Sequence, residues 1–300
     1  MIVKLKNNLL LLSWISILLL NVACSERNNE AYIKEIEHWR KSRIEYMKSE
    51  EGFLNLAGLY WIEQPMSTLG ADTINNFIFP AKTADKLGAI MLRDDSVWFI
   101  PEPEIKVKVD DVELKDTTLV FVENEVNRSM VHGDLHWFVI KRGMKYGIRL
   151  KDYNHPALAD FNHIDNYPID ELWNVEAEWQ AYDPPRTVLL HNQAGMDINY
   201  EVKGVLKFRL NDENYSLEPI ETGEEQLFVM LYDETSGRET YGSGRYLYVD
   251  RPVNNRTIID FNKAFNPPCV YTEFATCLFP HEANRLPISI EVGEKFSGLH

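Results

Sequence analysis

The chain has 300 residues, with 46 acidic against 31 basic side chains and a formal net charge of −15. An acidic surface repels phosphate, and no Lys/Arg stripe interleaved with aromatics overrides that balance, so nucleic acid is excluded as an expected partner. The length exceeds that of one usual domain and 12% of the residues are aromatic, enough apolar area for two cores, so two units are expected.

The first 24 residues read as an address. Lys4 and Lys6 form a short basic region, Leu9 to Leu20 an apolar stretch, and the small residue Ala23 precedes Cys24. This is the layout of a secretory signal. The stretch is shorter than the ~20 residues that cross a bilayer as a helix, and a cysteine after a small residue is where bacterial lipoproteins are cleaved and lipidated. Residues 1–23 are therefore expected to be removed and Cys24 lipidated, although Asn21 stands where the cleavage motif has a Leu-like residue. The expected location is the bacterial cell envelope, on the periplasmic or outer-membrane side, with the membrane a partner through the lipid anchor. Loss of two lysines and no acid takes the formal charge from −15 to −17.

Residues 24–50 comprise the lipid attachment site, a polar tether over Ser25–Glu30, and a helix. From Ala31 to about Ser49, Ile33, Ile36, Trp39, Ile44 and Met47 recur at helical spacing among mixed charges, which predicts an amphipathic helix packed on the first β unit.

After this helix the period shortens. Segments 53–62, 73–79, 89–92, 96–100, 105–109, 118–122 and 136–141 are short and often alternate, with punctuation such as Arg93-Asp94-Asp95 and Val109-Asp110-Asp111. Residues 51–145 are expected to form a β-sandwich. Thr68-Leu69-Gly70-Ala71-Asp72, Asn75-Asn76-Phe77-Ile78-Phe79-Pro80 and Met91-Leu92-Arg93-Asp94-Asp95-Ser96-Val97 resemble the opening of a forkhead-associated sandwich. The resemblance implies the fold and not phosphothreonine reading, because Gly70-Ala71 replaces the Gly-Arg of that family and no Ser-x-x-His follows.

Residues 145–186 read as a connector, after which strand periodicity resumes at 186–190, 198–208, 213–219, 226–232, 245–249 and 286–292. The expected fold class is mainly β: two packed sandwich- or barrel-like units preceded by one N-terminal amphipathic helix, the second unit spanning 146–300. Three of its segments are too polar for strand surface and too aromatic for plain loop: 239–250, 260–269 and 282–287. Together with Tyr153-Asn154-His155-Pro156-Ala157 they resemble DUF1684, a family of bacterial proteins whose function is not established. The resemblance implies a shared fold and site region and brings no activity, cofactor or catalytic residue.

Within those segments Arg245, Asp260, Asn262, Asn266, Asn284 and Arg285 supply both charge signs and amides, beside flat apolar walls from Tyr246, Phe261, Phe265 and Tyr271. That mixture suits a pocket for a small polar molecule or a glycan. It equally suits a buried polar network that pins irregular loops. An enzyme, most simply a hydrolase using a carboxylate among Asp250, Asp260, Glu273 and Glu282, is the competing class, and a structural or assembly component of the envelope is the third. Gly242-Ser243-Gly244 lacks the five-residue frame of a serine nucleophile elbow, and no phosphate loop or dinucleotide fingerprint calls for a cofactor. With Cys24 lipidated, Cys269 and Cys277 remain as a pair. They form a disulfide, stay as free thiols, or join His281 at zinc, the last disfavoured by the absence of a Cys-x2-Cys knuckle. His155, Asp160, His163 and Asp165 do not have the spacing of a metal motif, so no metal site is expected.

Overall fold

The computed structural model describes residues 29–296. The expected signal peptide and Cys24 lie outside the described residues. Helix α1 covers 29–48 and turns Tyr32, Ile36, Trp39, Arg43 and Met47 inward at spacings of three and four, with Ile36 and Met47 fully buried.

The first β unit contains β1 (Leu56–Trp61), β2 (Met66–Gly70), β3 (Phe77–Ile78), β4 (Gly88–Arg93), β5 (Ser96–Pro101), β6 (Lys108–Val109), β7 (Val112–Glu113), β8 (Thr118–Val122), β9 (Val126–Asn127), β10 (Met130–His132), β11 (Leu135–Arg142) and β12 (Lys145–Asp152). They form two six-stranded sheets, ordered β1-β12-β11-β10-β6-β7 and β3-β2-β4-β5-β8-β9. Leu69, Ile90, Phe99, Trp137 and Ile148 make one core between them. Asp94, Asp110, Asp111 and Asn124 take φ of 50° to 63° in the connecting turns, the left-handed conformation that Asp and Asn tolerate.

A single helical turn, α2 (Ala157–Asp160), precedes the second unit. Its strands are β13 (Asn174–His191), β14 (Asp197–Leu210), β15 (Glu213–Leu217), β16 (Ile220–Glu221), β17 (Gln226–Leu231), β18 (Arg245–Asp250) and β19 (Arg256–Asp260). They pair as β15-β14-β13-β19 and β16-β17-β18. Leu206, Phe208, Leu231, Leu247, Ile259 and Phe261 belong to the core of this unit. The chain is mainly β behind one N-terminal helix.

Three expectations need correction. Helix α1 docks on the second unit, not the first: the Tyr32 hydroxyl donates to Asp260, Arg40 to the Tyr167 carbonyl, Arg43 to Glu294, and Lys263 to Glu35. Its inward stripe carries polar groups whose partners lie 127 to 251 residues away, a choice that helical period cannot reveal. The expected boundary at 145 falls at the start of β12, which pairs with β1 and β11 and completes the first unit by burying Tyr146, Ile148 and Leu150. Residues 286–292 are irregular; Leu286, Ile290 and Val292 enter the core, while the carbonyls of Ile290 and Val292 accept from the Arg245 guanidinium instead of a neighbouring strand.

Candidate functional site

The polar residues singled out above do not converge on one pocket. Arg245, Asp260, Asn262, Asn266 and Asn284 divide among separate buried or partly buried networks, and Arg285 stands half exposed apart from them. Arg245 and Asp233 are fully buried as an ion pair, Nη2 to Oδ2 at 2.8 Å, and Arg245 also donates to the carbonyls of Ile290, Val292 and Glu294. The backbone N–H of Asn266 donates to the Glu294 carboxylate at 2.7 Å, which also receives Arg43 and the Tyr271 hydroxyl. Asn262 and Asp260 form a second group: Asn262 Nδ2 donates to the Tyr32 hydroxyl and the Asp170 carbonyl, both at 2.8 Å.

Asn284 belongs to a third group, accepting from the Glu218 N–H and donating to the carbonyls of Glu218 and Met230. Arg285 is half exposed, paired with Glu282 at 3.0 Å and lying over the Tyr232 ring. The physical reason for the division is topological. Arg245, Asn262, Asn266 and Asn284 each satisfy loop or strand-end carbonyls that no neighbouring strand reaches. Of the four carboxylates offered for hydrolysis three are engaged, Asp260 by Tyr32 and Lys263, Asp250 by Gln226 and Glu282 by Arg285, while Glu273 is exposed.

Among the described residues no group of three or more His, Cys, Asp or Glu is placed to hold a metal ion. His163 pairs with Asp165 at 2.8 Å, and His155 Nδ1 accepts from the Ala157 N–H.

A cleft of about 500 Å³ opens between the two units. On one side it is lined by Lys141, Arg142 and Arg149 from the β11–β12 hairpin, and on the other by Tyr200, Phe228, Tyr246, Tyr248 and Cys277. The hairpin β13–β14 supplies Ile198 and Tyr200, and its tip is held by bonds from Gln193 N–H to the Cys277 carbonyl and from Phe279 N–H to the His191 carbonyl. Phe228 packs against Tyr246 and Tyr248 at ring separations of 4.8 and 5.2 Å.

The electrostatics of this cleft are unbalanced. Lys141 is paired with Glu123 at 2.5 Å, but Arg142 and Arg149 have no carboxylate within 4.0 Å among the described residues. Arg142 donates to Thr276 Oγ1 at 3.3 Å and to its neighbour's carbonyl; Arg149 reaches the Phe274 carbonyl at 3.4 Å, and its buried Nε has no partner. Burial, and after it the like charge of Arg142, pulls the Arg149 guanidinium down to about 10. Two cations sharing a partly desolvated wall are unfavourable until an anion joins them.

A larger depression of about 630 Å³ lies on the solvated face of the four-stranded sheet. Its charges have both signs and are exposed, as in the Arg256–Glu176 pair, so it reads as ordinary sheet surface.

The sequence reading missed Arg142 and Arg149. Both occupy outward positions of alternating strands, where a solvated charge and a cleft charge look the same. Only the second unit's arrival opposite them makes the difference.

Of the three alternatives left open for Cys269 and Cys277, the structure has them as free thiols. The Cys269 N–H donates to Cys277 Sγ at 3.0 Å. The hydrogen bond with Cys277 lowers the Cys269 thiol, while burial raises that of Cys277.

Residues 159–295 match the family model described as "Protein of unknown function (DUF1684)". No curated protein matches the chain. Among solved structures, the chain is similar to the solution NMR structure of an uncharacterized protein of Haloarcula marismortui, with 27% identity over 47% of this chain and 80% of that one and a TM-score of 0.40.

Proposed function

With residues 159–295 belonging to the DUF1684 family, we propose that the protein is an envelope lipoprotein that binds a small anionic, ring-bearing ligand, such as a carboxylated or phosphorylated sugar, in the cleft between its two units. The observation that carries this reading is that Arg142 and Arg149 line one cleft with no carboxylate partner among the described residues, opposite a wall of tyrosine and phenylalanine rings. A planar guanidinium matches carboxylate or phosphate with two parallel donors. Aromatic faces suit the apolar side of a sugar ring. In this reading the DUF1684 segment contributes the flat wall and the preceding unit the charge.

The test is thermal melting of the purified protein with glucuronate, glucose 6-phosphate and glucose. Saturating stabilisation is expected from an anionic sugar and not from glucose, reaching about 2.7 kcal/mol at 100 times the dissociation constant. Arg149→Gln removes the charge and should abolish the shift. No saturable shift with either anionic sugar, or the same shift in Arg149→Gln, refutes the reading.

The envelope address rests on the segment ending at Cys24. No helix among the described residues is long and apolar enough to cross a membrane. Cys24→Ser is expected to leave the membrane fraction; retention there, with processing unchanged, contradicts lipidation. For residues 51–145 the forkhead-associated likeness is proposed as one of shape only. Saturable binding of phosphothreonine peptides would show that it extends to function.

A further inference from the structure

Cys269 and Cys277 lie beside the cleft in a way that the binding reading does not use. Cys277 is buried in the cleft wall, and Cys269, partly exposed, sits against it with its N–H on the Cys277 sulfur at 3.0 Å. The segment between the two cysteines also carries the acceptors that hold the cleft's cations. Arg149 donates to the Phe274 carbonyl and Arg142 to Thr276 Oγ1. Closing 269 onto 277 would therefore constrain the stretch of chain that sets how far the two guanidinium groups stand out into the cleft.

We propose that Cys269 and Cys277 form a reversible dithiol–disulfide pair that controls the exposure of Arg142 and Arg149 in the cleft. This rests on the cleft being the functional site. The oxidant is a disulfide, either of a small thiol or of a thiol oxidoreductase. The Cys269 thiolate attacks one of its sulfurs; the oxidant's S–S bond breaks, and the departing thiolate takes up a proton. Cys277 then loses its proton and attacks the Cys269 sulfur of the mixed disulfide, expelling the second thiol. Two electrons pass from the cysteine pair to the oxidant, and the reverse sequence with two thiols restores the dithiol.

The division of roles follows from access and thiolate character. Cys269 is the more exposed, and its thiol is held below the ordinary range by hydrogen bonds from Cys277 and Tyr241. Cys277 is buried and its thiol is raised, as suits a resolving partner that reacts only when a sulfur is brought to it. An oxidising envelope would supply the disulfide.

The experiment uses the Cys24→Ser protein, in which these two are the remaining cysteines. It is equilibrated with oxidised glutathione or with reduced dithiothreitol and read by intact mass after alkylation, then by phenylglyoxal labelling of Arg142 and Arg149 in peptide maps. The expected result is loss of both alkylation sites on oxidation, their return on reduction, and a change in the labelling of both arginines between the two states. Cys277→Ser should give labelling that no longer responds to the redox state.

Two thiols that stay alkylatable after oxidation overturn the proposal. So does a disulfide that leaves arginine labelling unchanged. Labelling needs no ligand, so a redox-dependent cleft that fails to bind glucuronate or glucose 6-phosphate would refute the anion reading alone.

Discussion

The buried pair Arg245–Asp233 allows the sharpest test of the reading that these polar residues hold the fold. Both side chains are fully buried, and Asp233 Oδ1 is already satisfied by the N–H and hydroxyl of Thr235. Asp233→Asn keeps the shape and removes the charge, leaving a buried guanidinium without its counter-ion. Breaking such a pair from one side costs about 3 to 5 kcal/mol. For many buried pairs, replacing both partners with apolar residues recovers that loss. Here it should not, because Arg245 also donates to the carbonyls of Ile290, Val292 and Glu294. Each acceptor left dry costs about 1 to 3 kcal/mol, so Arg245→Met with Asp233→Leu is expected to remain at least ~3 kcal/mol below the parent. Urea titration followed by far-UV circular dichroism measures this, with the slope checked for two-state behaviour. A double variant as stable as the parent would show that the arginine's main-chain bonds contribute nothing, and the account of 286–292 would fall with it.

Tyr32→Phe removes a hydroxyl that donates to Asp260 and accepts from Asn262; a loss of about 1 to 2 kcal/mol is expected, with faster tryptic cleavage at Arg40 and Arg43 as α1 loosens. Unchanged cleavage would mean that the helix is held by its apolar stripe alone. Gly244 has φ +87°, and an added Cβ would lie 2.4 Å from the Leu231 carbonyl oxygen. Gly244→Ala should therefore destabilise by more than about 1 kcal/mol, read as a lower urea midpoint. Burial lowers the pKa of His136 below its usual 6.5, against the ring of Tyr153. The unfolded chain thus takes up the proton first, and stability contributed by the neutral ring falls as pH drops below about 6.5. His136→Gln should flatten that slope, and an unchanged slope would place its origin elsewhere.

Much of the fold class is legible in local pattern, because the pattern is imposed by each element's own geometry. The 3.6 period announces α1. Alternation also marks most strands, including β12, where Tyr146, Ile148 and Leu150 alternate with Lys145, Arg149 and Lys151 although the segment reads as connector on composition. Asp94, Asp110 and Asp111 mark turns because Asp tolerates positive φ. The polar, aromatic blocks of the second unit also stand out, but 239–250 holds a regular strand, β18, so Asn and Arg beside Pro and Gly mark the loops of those blocks and not their whole length.

What those blocks do was decided only in three dimensions. An asparagine lining a pocket and one bonded to buried backbone have the same neighbours in sequence; Asn284 is settled by Glu218 and Met230, which are 66 and 54 positions away. The same holds for charge. Arg43 appears as a polar interruption of an apolar stripe until Glu294 meets it. Arg149 appears as a solvated strand residue until residues 274–278 close over it. Hydrophobic periodicity acts within one element and is written along the chain. The cost of leaving a buried donor or a charge without a partner is set by whatever distant segment packs there, and only the tertiary structure brings that segment into place.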